Sequence, residues 1–530
     1  MHILITRLDA HSSVAQSLDW GHHYVIVLLA IACLSIAEGR TPAKADEKVK
    51  PDELSITELQ KLADGGDADA MHRLGRRYET GRGVRLNYRT CASWYRKAAT
   101  AEHATGLRDL GVLHLDGRGV PKDFEQAFLC FRKAAELGNA KAMNNLGTLH
   151  LAGLGTFRQD PREAVRWFQK SADLGEPAGM LNLADAHRRG LGVKQNRDLA
   201  KEWYGKAHAA YEAAAKGGDA TAMLGLAAML LRGEGVPQDA KRGAAWCLSA
   251  AELGRTDAML IVAALCHQGL GVAQDDQKLL AWSQKAADAG EPEAMLLLAT
   301  IFTTGEVAPR DKKKALELCR QAADLGHGPA MLRLAAQFET GDGVKQSDAE
   351  ALDWYFKAAE MKEVEAITEL GRKYSAGRGV KQDELTASFY FRQAANLGDP
   401  NGAFFLGQAY ADGRGMARDD HKAAQWYRKA AHGGHRAAMY QLGAMHTGGR
   451  GVERNDEDAV FWYQVAADLG WPEAMRALAD AYRTGKGIEK NEQQAAEWLR
   501  KAGGTPDPPA SPTGRSSPTP IKPAQTQAAE

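Results

Sequence analysis

The chain has 530 residues, with 67 Lys+Arg against 67 Asp+Glu and a formal net charge of zero. That length is too great for one compact core and calls for several domains or a linear array. The balanced charge excludes nucleic acid as the main partner, because phosphate binding draws on clustered excess positive charge.

Residues 1–45 differ from the rest. Tyr24 to Ala37 reads YVIVLLAIACLSIA, an apolar run without a charge. A membrane-spanning helix takes about 20 apolar residues, so this shorter run suits the core of a signal peptide. Ala43-Lys44-Ala45 has the small-x-small pattern of a cleavage site, and Ser35-Ile36-Ala37 is a second candidate. The expectation is a periplasmic or secreted protein. The alternative is an uncleaved anchor, a tether in the inner membrane with the remaining chain outside the cytoplasm. Residues 46–66 read as a linker and a capping helix, since the end of an array needs a polar outer face.

From residue 67 to residue 502 the sequence repeats. A Gly-x-Gly turn begins at Gly81, Gly117, Gly153, Gly190, Gly233, Gly269, Gly341, Gly377, Gly413, Gly449 and Gly485, and Gly305 opens a degraded copy. Twelve copies at a nearly constant spacing of 36 residues predict an all-α solenoid of helix-turn-helix repeats. In each copy a first helix carries apolar or small residues at i, i+3, i+4 and i+7, as in Ala70 to Tyr78. After its Leu comes Gly in six copies (Gly75, Gly111, Gly147, Gly371, Gly407, Gly443) and Ala in the other six, so the two helices are expected to touch closely there. The second helix places a tryptophan at one slot in nine copies: Trp94, Trp167, Trp203, Trp246, Trp282, Trp354, Trp426, Trp462 and Trp498. These are expected to be structural anchors between stacked repeats. The third copy has one extra residue around Thr156-Phe157. The fourth has seven near His208 to Ala215, which predicts an extended helix near 208–215. Residues 503–530 form a Pro/Ser/Thr-rich tail that cannot bury a core and is expected to be disordered.

The consensus Leu-Gly-x-x-Tyr-x-x-Gly-x-Gly-Val, then Trp-Tyr-x-Lys-Ala-Ala, then Gly-(Asp/Glu), resembles the Sel-one-like repeat (SLR) family, a relative of the tetratricopeptide repeat. The likeness spans residues 67–502. It implies stacked α/α hairpins in a superhelix that scaffolds protein complexes. In bacterial, exported members it also implies a setting in envelope signalling, envelope biology or host contact.

On the first helix, position 9 counted back from the turn glycine is predicted to flank the core stripe. There stand Leu181, Leu224, Leu260, Leu296 and Leu332, then Phe404 and Tyr440 in copies ten and eleven. If this flank is concave, the row forms a shallow apolar groove for a protein or peptide partner. The competing expectation is that these side chains pack against the adjacent repeat. The alternative function is an envelope-directed hydrolase of cell-wall or β-lactam type. Against it, the chain has no Gly-x-Ser-x-Gly, no His-Glu-x-x-His and no phosphate loop. Accordingly, no catalytic residue, cofactor or metal is expected. His114, His150, His187 and His446 fill the slot that Tyr78 and Tyr410 fill elsewhere. His432, His435 and His446 are the one histidine group whose spacing allows convergence. The six scattered cysteines, with no CxxC, read as buried apolar residues rather than a disulfide framework.

Overall fold

The computed structural model describes residues 54–153 and 158–503. The expected leader (1–45), the insertion at Thr156-Phe157 and the tail beyond residue 503 lie outside the described residues. Among these residues the regular elements are 25 helices, with no strand. The first, Ile56–Asp64, is held by a reciprocal cap: the Glu58 N–H donates to Ser55 Oγ at 3.2 Å, and the Ser55 N–H donates to Glu58 Oε2 at 2.7 Å. The other 24 form twelve antiparallel hairpins, each a leading helix followed by a trailing helix. The fold is an all-α solenoid.

Local chemistry fixes where each hairpin turns. The leading helix of copy one, Ala68–Thr80, ends at Gly81 with φ of 68°, a left-handed conformation in which a side chain is disfavoured. The second turn glycine serves close approach. A Cβ on Gly451 would lie 2.0 Å from the Asp420 carbonyl oxygen of the preceding trailing helix. Next, all twelve trailing helices begin at an Asp, Asn or Ser. Its side chain accepts a backbone N–H from the first turn. Each such cap stabilises its helix by ~1 kcal/mol. The cap residue also donates its own N–H back to the leading helix, as Asn87 does to Tyr78 O at 2.9 Å. The trailing helix of copy four, Arg197–Lys216, has 20 residues where most have 13.

The described residues fall into two compact units. One runs to Phe405 and includes Arg414–Met416; the other comprises Leu406–Gly413 and the residues from Ala417 onward. In both, the hairpin core is a fit by size. A Cβ on Gly75, Gly111, Gly147, Gly371, Gly407 or Gly443 would come within 2.4–2.8 Å of the ring of Tyr95, Phe131, Phe168, Phe391, Tyr427 or Tyr463 respectively. These rings follow the tryptophan slot by one residue. Copies five to seven have alanine in the leading helix and a small side chain opposite in sequence register, Cys247, Ser283 and Cys319. Copies four and eight pair alanine with Tyr204 and Tyr355, and copy twelve pairs it with Leu499. Thus a glycine is always matched by an aromatic ring.

In the first unit the chain also returns upon itself. Arg118 of copy two reaches Glu291 and Glu293, at 2.9 and 3.1 Å, and Asp123 pairs with Lys362 at 2.7 Å.

The size match generates a double-mutant prediction. Gly371→Ala alone overpacks Phe391 and destabilises the protein by ~1–3 kcal/mol in urea unfolding. In a Phe391→Cys background the same alanine is neutral or stabilising, because the ring is gone and alanine favours helix by ~0.5–1 kcal/mol. Equal effects in both backgrounds would refute the contact.

Candidate interaction surface

The position-9 row divides into segments with different surroundings. In copies one to three it is polar and buried: His72, Arg108 and Asn144. The His72 Nε2 lies 2.8 Å from Asp109 Oδ2, and Arg108 Nη1 lies 2.8 Å from Asp109 Oδ1. Burial works against the Asp109 carboxylate, yet Arg108 and His72 hold it below the usual range. Asn182 donates to Asn144 Oδ1 at 2.8 Å, carrying the polar ladder on to copy four.

The apolar segment is closed in its middle. Leu224 is 1% exposed and Leu260 6% exposed, and Phe404 is also buried. Leu181, Leu296, Leu332 and, in the second unit, Tyr440 are half-buried. The expected open groove therefore does not run through copies five and six. The reason lies in those leading helices. Ala220–Arg232 is buried from Ala220 through Leu231, and Thr256–Gln268 from Ala258 through Cys266. A helix that is apolar on all sides buries all sides. Position 5 follows suit: Ala228 and Ala264 are buried, Thr300 is half-buried and Ala336 is exposed.

Of the nine tryptophans, Trp94 and Trp498 are buried. The other seven are half-buried, at the edge of the core rather than within it. In seven of the nine copies the lysine three residues on lies over the indole, at 3.8–4.3 Å from the ring centroid. An indole suits this rim, with an apolar body and a face that attracts a cation. Where the next residue is aromatic it lies deeper than the tryptophan, as Tyr95, Phe168 and Tyr427 do beside Trp94, Trp167 and Trp426, whereas in copy twelve Trp498 itself is buried and Leu499 is not.

The histidines have separate tasks. His435 Nδ1 accepts the Ala438 N–H at 3.1 Å, and the His432 ring meets Trp462 edge-on. His446 is buried, with Nδ1 3.3 Å from Glu453 O. These three do not converge. One trio, Asp69, His72 and His103, does bring potential metal-ligand atoms within 4.8 Å of one another. However, His103 Nδ1 already accepts the Gly106 N–H at 3.0 Å. In a neutral ring that leaves the proton on Nε2, so His103 offers no spare lone pair while it caps its helix. The five described cysteines are free thiols. Burial pushes Cys247 up to about 12 and Cys130 up to about 11, away from thiolate chemistry.

Twelve segments, from residues 68–103 to residues 472–503, match the Sel1 repeat. The chain belongs to the Sel1 repeat family. Proteins of this family are generally protein-interaction scaffolds, and their solenoid is typically non-catalytic. Among solved structures, the chain is similar to a protective antigen of uropathogenic Escherichia coli strains that displays an SLR fold. The identity is 29%, the match covers 88% of this chain and 100% of that one, and the TM-score is 0.45. It is also similar to a Sel1 repeat protein from Oxalobacter formigenes, at 28% identity over 61% of this chain and 94% of that one, TM-score 0.48. A third is an immunity protein from Pseudomonas aeruginosa, at 20% identity over 40% and 81%, TM-score 0.29. No curated protein sequence matches the chain.

One buried group generates a pH prediction. Burial pushes the His327 imidazole down to about 4, and Arg118 acts in the same direction, while Glu291 opposes both. Its Nδ1 is buried without a hydrogen-bond partner. The folded pKa lies below the unfolded value of about 6.5. Between those values the unfolded chain binds more protons, so this residue's contribution falls as pH drops through that window. Relative to the wild type, His327→Gln should gain ~2 kcal/mol of stability on going from about pH 7 to about pH 4.5, measured by urea unfolding. A difference that stays constant with pH would remove His327 from the account.

Proposed function

We propose that this protein is an interaction scaffold that holds a segment of a partner protein, helical or extended, against the half-buried part of the position-9 row. Leu181, Leu296 and Leu332 supply the apolar contacts in the first unit, and Tyr440 supplies a separate contact in the second. The observation that carries this reading is the match to the Sel1 repeat in all twelve copies. The half-buried leucines support the location, because they stand beside closed helices without being enclosed by them. Leu224, Leu260 and Phe404 are buried and offer a partner little surface.

We place the scaffold outside the cytoplasm, periplasmic or secreted, in envelope signalling, envelope biology or host contact. The charge-free run from Tyr24 to Ala37, followed by Ala43-Lys44-Ala45, supports export. Among the described residues no helix is long and apolar enough to cross a membrane. N-terminal sequencing of the protein recovered from the periplasm should begin near Asp46. A full-length cytoplasmic product would end the export reading.

Leu296 and Leu260 separate binding from folding. A photo-crosslinking residue at Leu332 should capture a defined partner in cells. Leu296→Asp should abolish that adduct with the far-ultraviolet circular dichroism unchanged. Leu260→Asp should instead destabilise the fold by several kcal/mol, because it buries a carboxylate among apolar side chains. If Leu296→Asp left the adduct intact, the row would not be the binding surface.

A further inference from the structure

We propose that the turn after the leading helix of copy two is a latch that closes the first nine copies upon themselves. It is seated on the loops joining copies six to nine and is released by parting Arg118 from Glu291 and Glu293. Arg118 is the residue between the two turn glycines of copy two. Its side chain is 12% exposed, and that of Glu291 is 4% exposed. The same guanidinium donates to Tyr88 Oη at 3.3 Å. Glu291 also accepts the Thr256 hydroxyl, which fixes the acceptor end.

The seam extends over three consecutive loops. Copy one meets the loop between copies six and seven: a Cβ on Gly290 would lie 2.8 Å from Leu86 Cδ1. Copy two meets the next loop, where a Cβ on Gly326 would lie 3.8 Å from Gly119 Cα. Copy two also meets the loop between copies eight and nine. There the Lys122 N–H donates to Met361 O at 3.4 Å, and Lys362 pairs with Asp123. A cleft of about 1320 Å³ opens beside the seam, between Leu86 and Tyr88 on one side and Asp288 and Leu325 on the other. The seam is therefore a set of discrete contacts rather than a continuous core.

Two departures from the repeat pattern reach this seam, the first beginning one loop before it at Arg255. Leading helices in copies one to three carry side-chain caps, from Asp67, His103 and Asn139. In copies six to nine the same position holds Arg255, Glu291, His327 and Glu363, and none caps its helix. Copies four and twelve also lack this cap, at Glu176 and Trp471, but the run of four occurs only here. Along that run Glu291 faces Arg118 and Glu363 senses Lys122. Second, Lys362 has φ of 61° at a position where nine other loops between copies use glycine. A lysine accepts that unfavourable conformation while ion-paired to Asp123 across the seam. Glu102 is the other such residue, and it pairs with Lys133 within its own neighbourhood.

Hydrogen–deuterium exchange on the full chain tests the latch, comparing wild type, Arg118→Ala and Lys362→Gly. Arg118→Ala should speed exchange by about tenfold or more in residues 118–123, 289–291, 325–327 and 361–363. The trailing helices should stay protected. Lys362→Gly restores the residue used in most other loops and so preserves the fold. It should speed exchange at residues 122–123 and 361–363 alone. If neither variant changes exchange at the seam, the latch is refuted. If Arg118→Ala raises exchange evenly through the unit while Lys362→Gly changes nothing, Arg118 is an ordinary core residue and the proposal falls.

Discussion

A missing methyl group sets the architecture. Where the leading helix has glycine, the ring from the trailing helix occupies the space in which a Cβ would stand. The two backbones can approach because one side chain is absent and the other is flat. The contact itself uses no charge and no hydrogen bond, so it repeats along the chain; where the ring is a tyrosine, its hydroxyl has a separate partner, as Tyr95 Oη does by donating to Glu79 at 2.6 Å. It also shows why each hairpin is incomplete alone: the ring fills its own hairpin, while the remaining apolar surface faces the next copy. Such arrays bury a continuous core only by stacking.

Much of this was legible in the sequence because it depends on spacing. The turn glycines, the small residue after leucine and the helical stripe all recur at fixed offsets, and a sustained period of 36 residues is the mark of a stacked array. Depth within the core was less legible. Tryptophan drew attention through its size and recurrence, while the deeper Tyr95, Phe131, Phe168 and Phe391 are more varied and stand one residue further on. A one-residue step on a helix turns the side chain by about 100°, so adjacent aromatics have different neighbours. A sharper signal was present in the pairing of each leading-helix glycine with an aromatic residue in the following trailing helix. The capped start of every trailing helix was another unused signal, written as Asp, Asn or Ser six residues after the turn glycine in eleven copies.

The position-9 row shows the limit of reading one copy at a time. Its residues are related by the repeat, yet they range from Asn144, 0% exposed, to an exposed Arg476. Position alone does not decide this. Leu224 and Leu260 belong to helices whose other faces are also apolar, and these helices are enclosed. Leu181 belongs to a helix ending in His187, Arg188 and Arg189, whose polar character keeps part of its surface in water. Exposure follows the composition of the whole helix and its neighbours rather than the position in the repeat.

The same reasoning applies to the seam in the first unit. A periodic sequence predicts contacts between adjacent copies, since each copy is complementary to the next. It does not predict that copy two will touch copies seven to nine, because such contacts depend on the accumulated rotation of many hairpins. A rotation error that is small per copy becomes large over five copies, so long-range closure needs residues specific to their location. Arginine alone is not specific, since Arg82, Arg378, Arg414 and Arg450 hold the same turn position as Arg118. What singles out copy two is the company it meets: it faces Glu291 and Glu293 at the start of copy seven, a pair that recurs only as Glu363 and Glu365 in copy nine, and Lys362 replaces a loop glycine. In an array built from equivalent units, the substitutions that spoil the equivalence are the ones that fix a particular closed form.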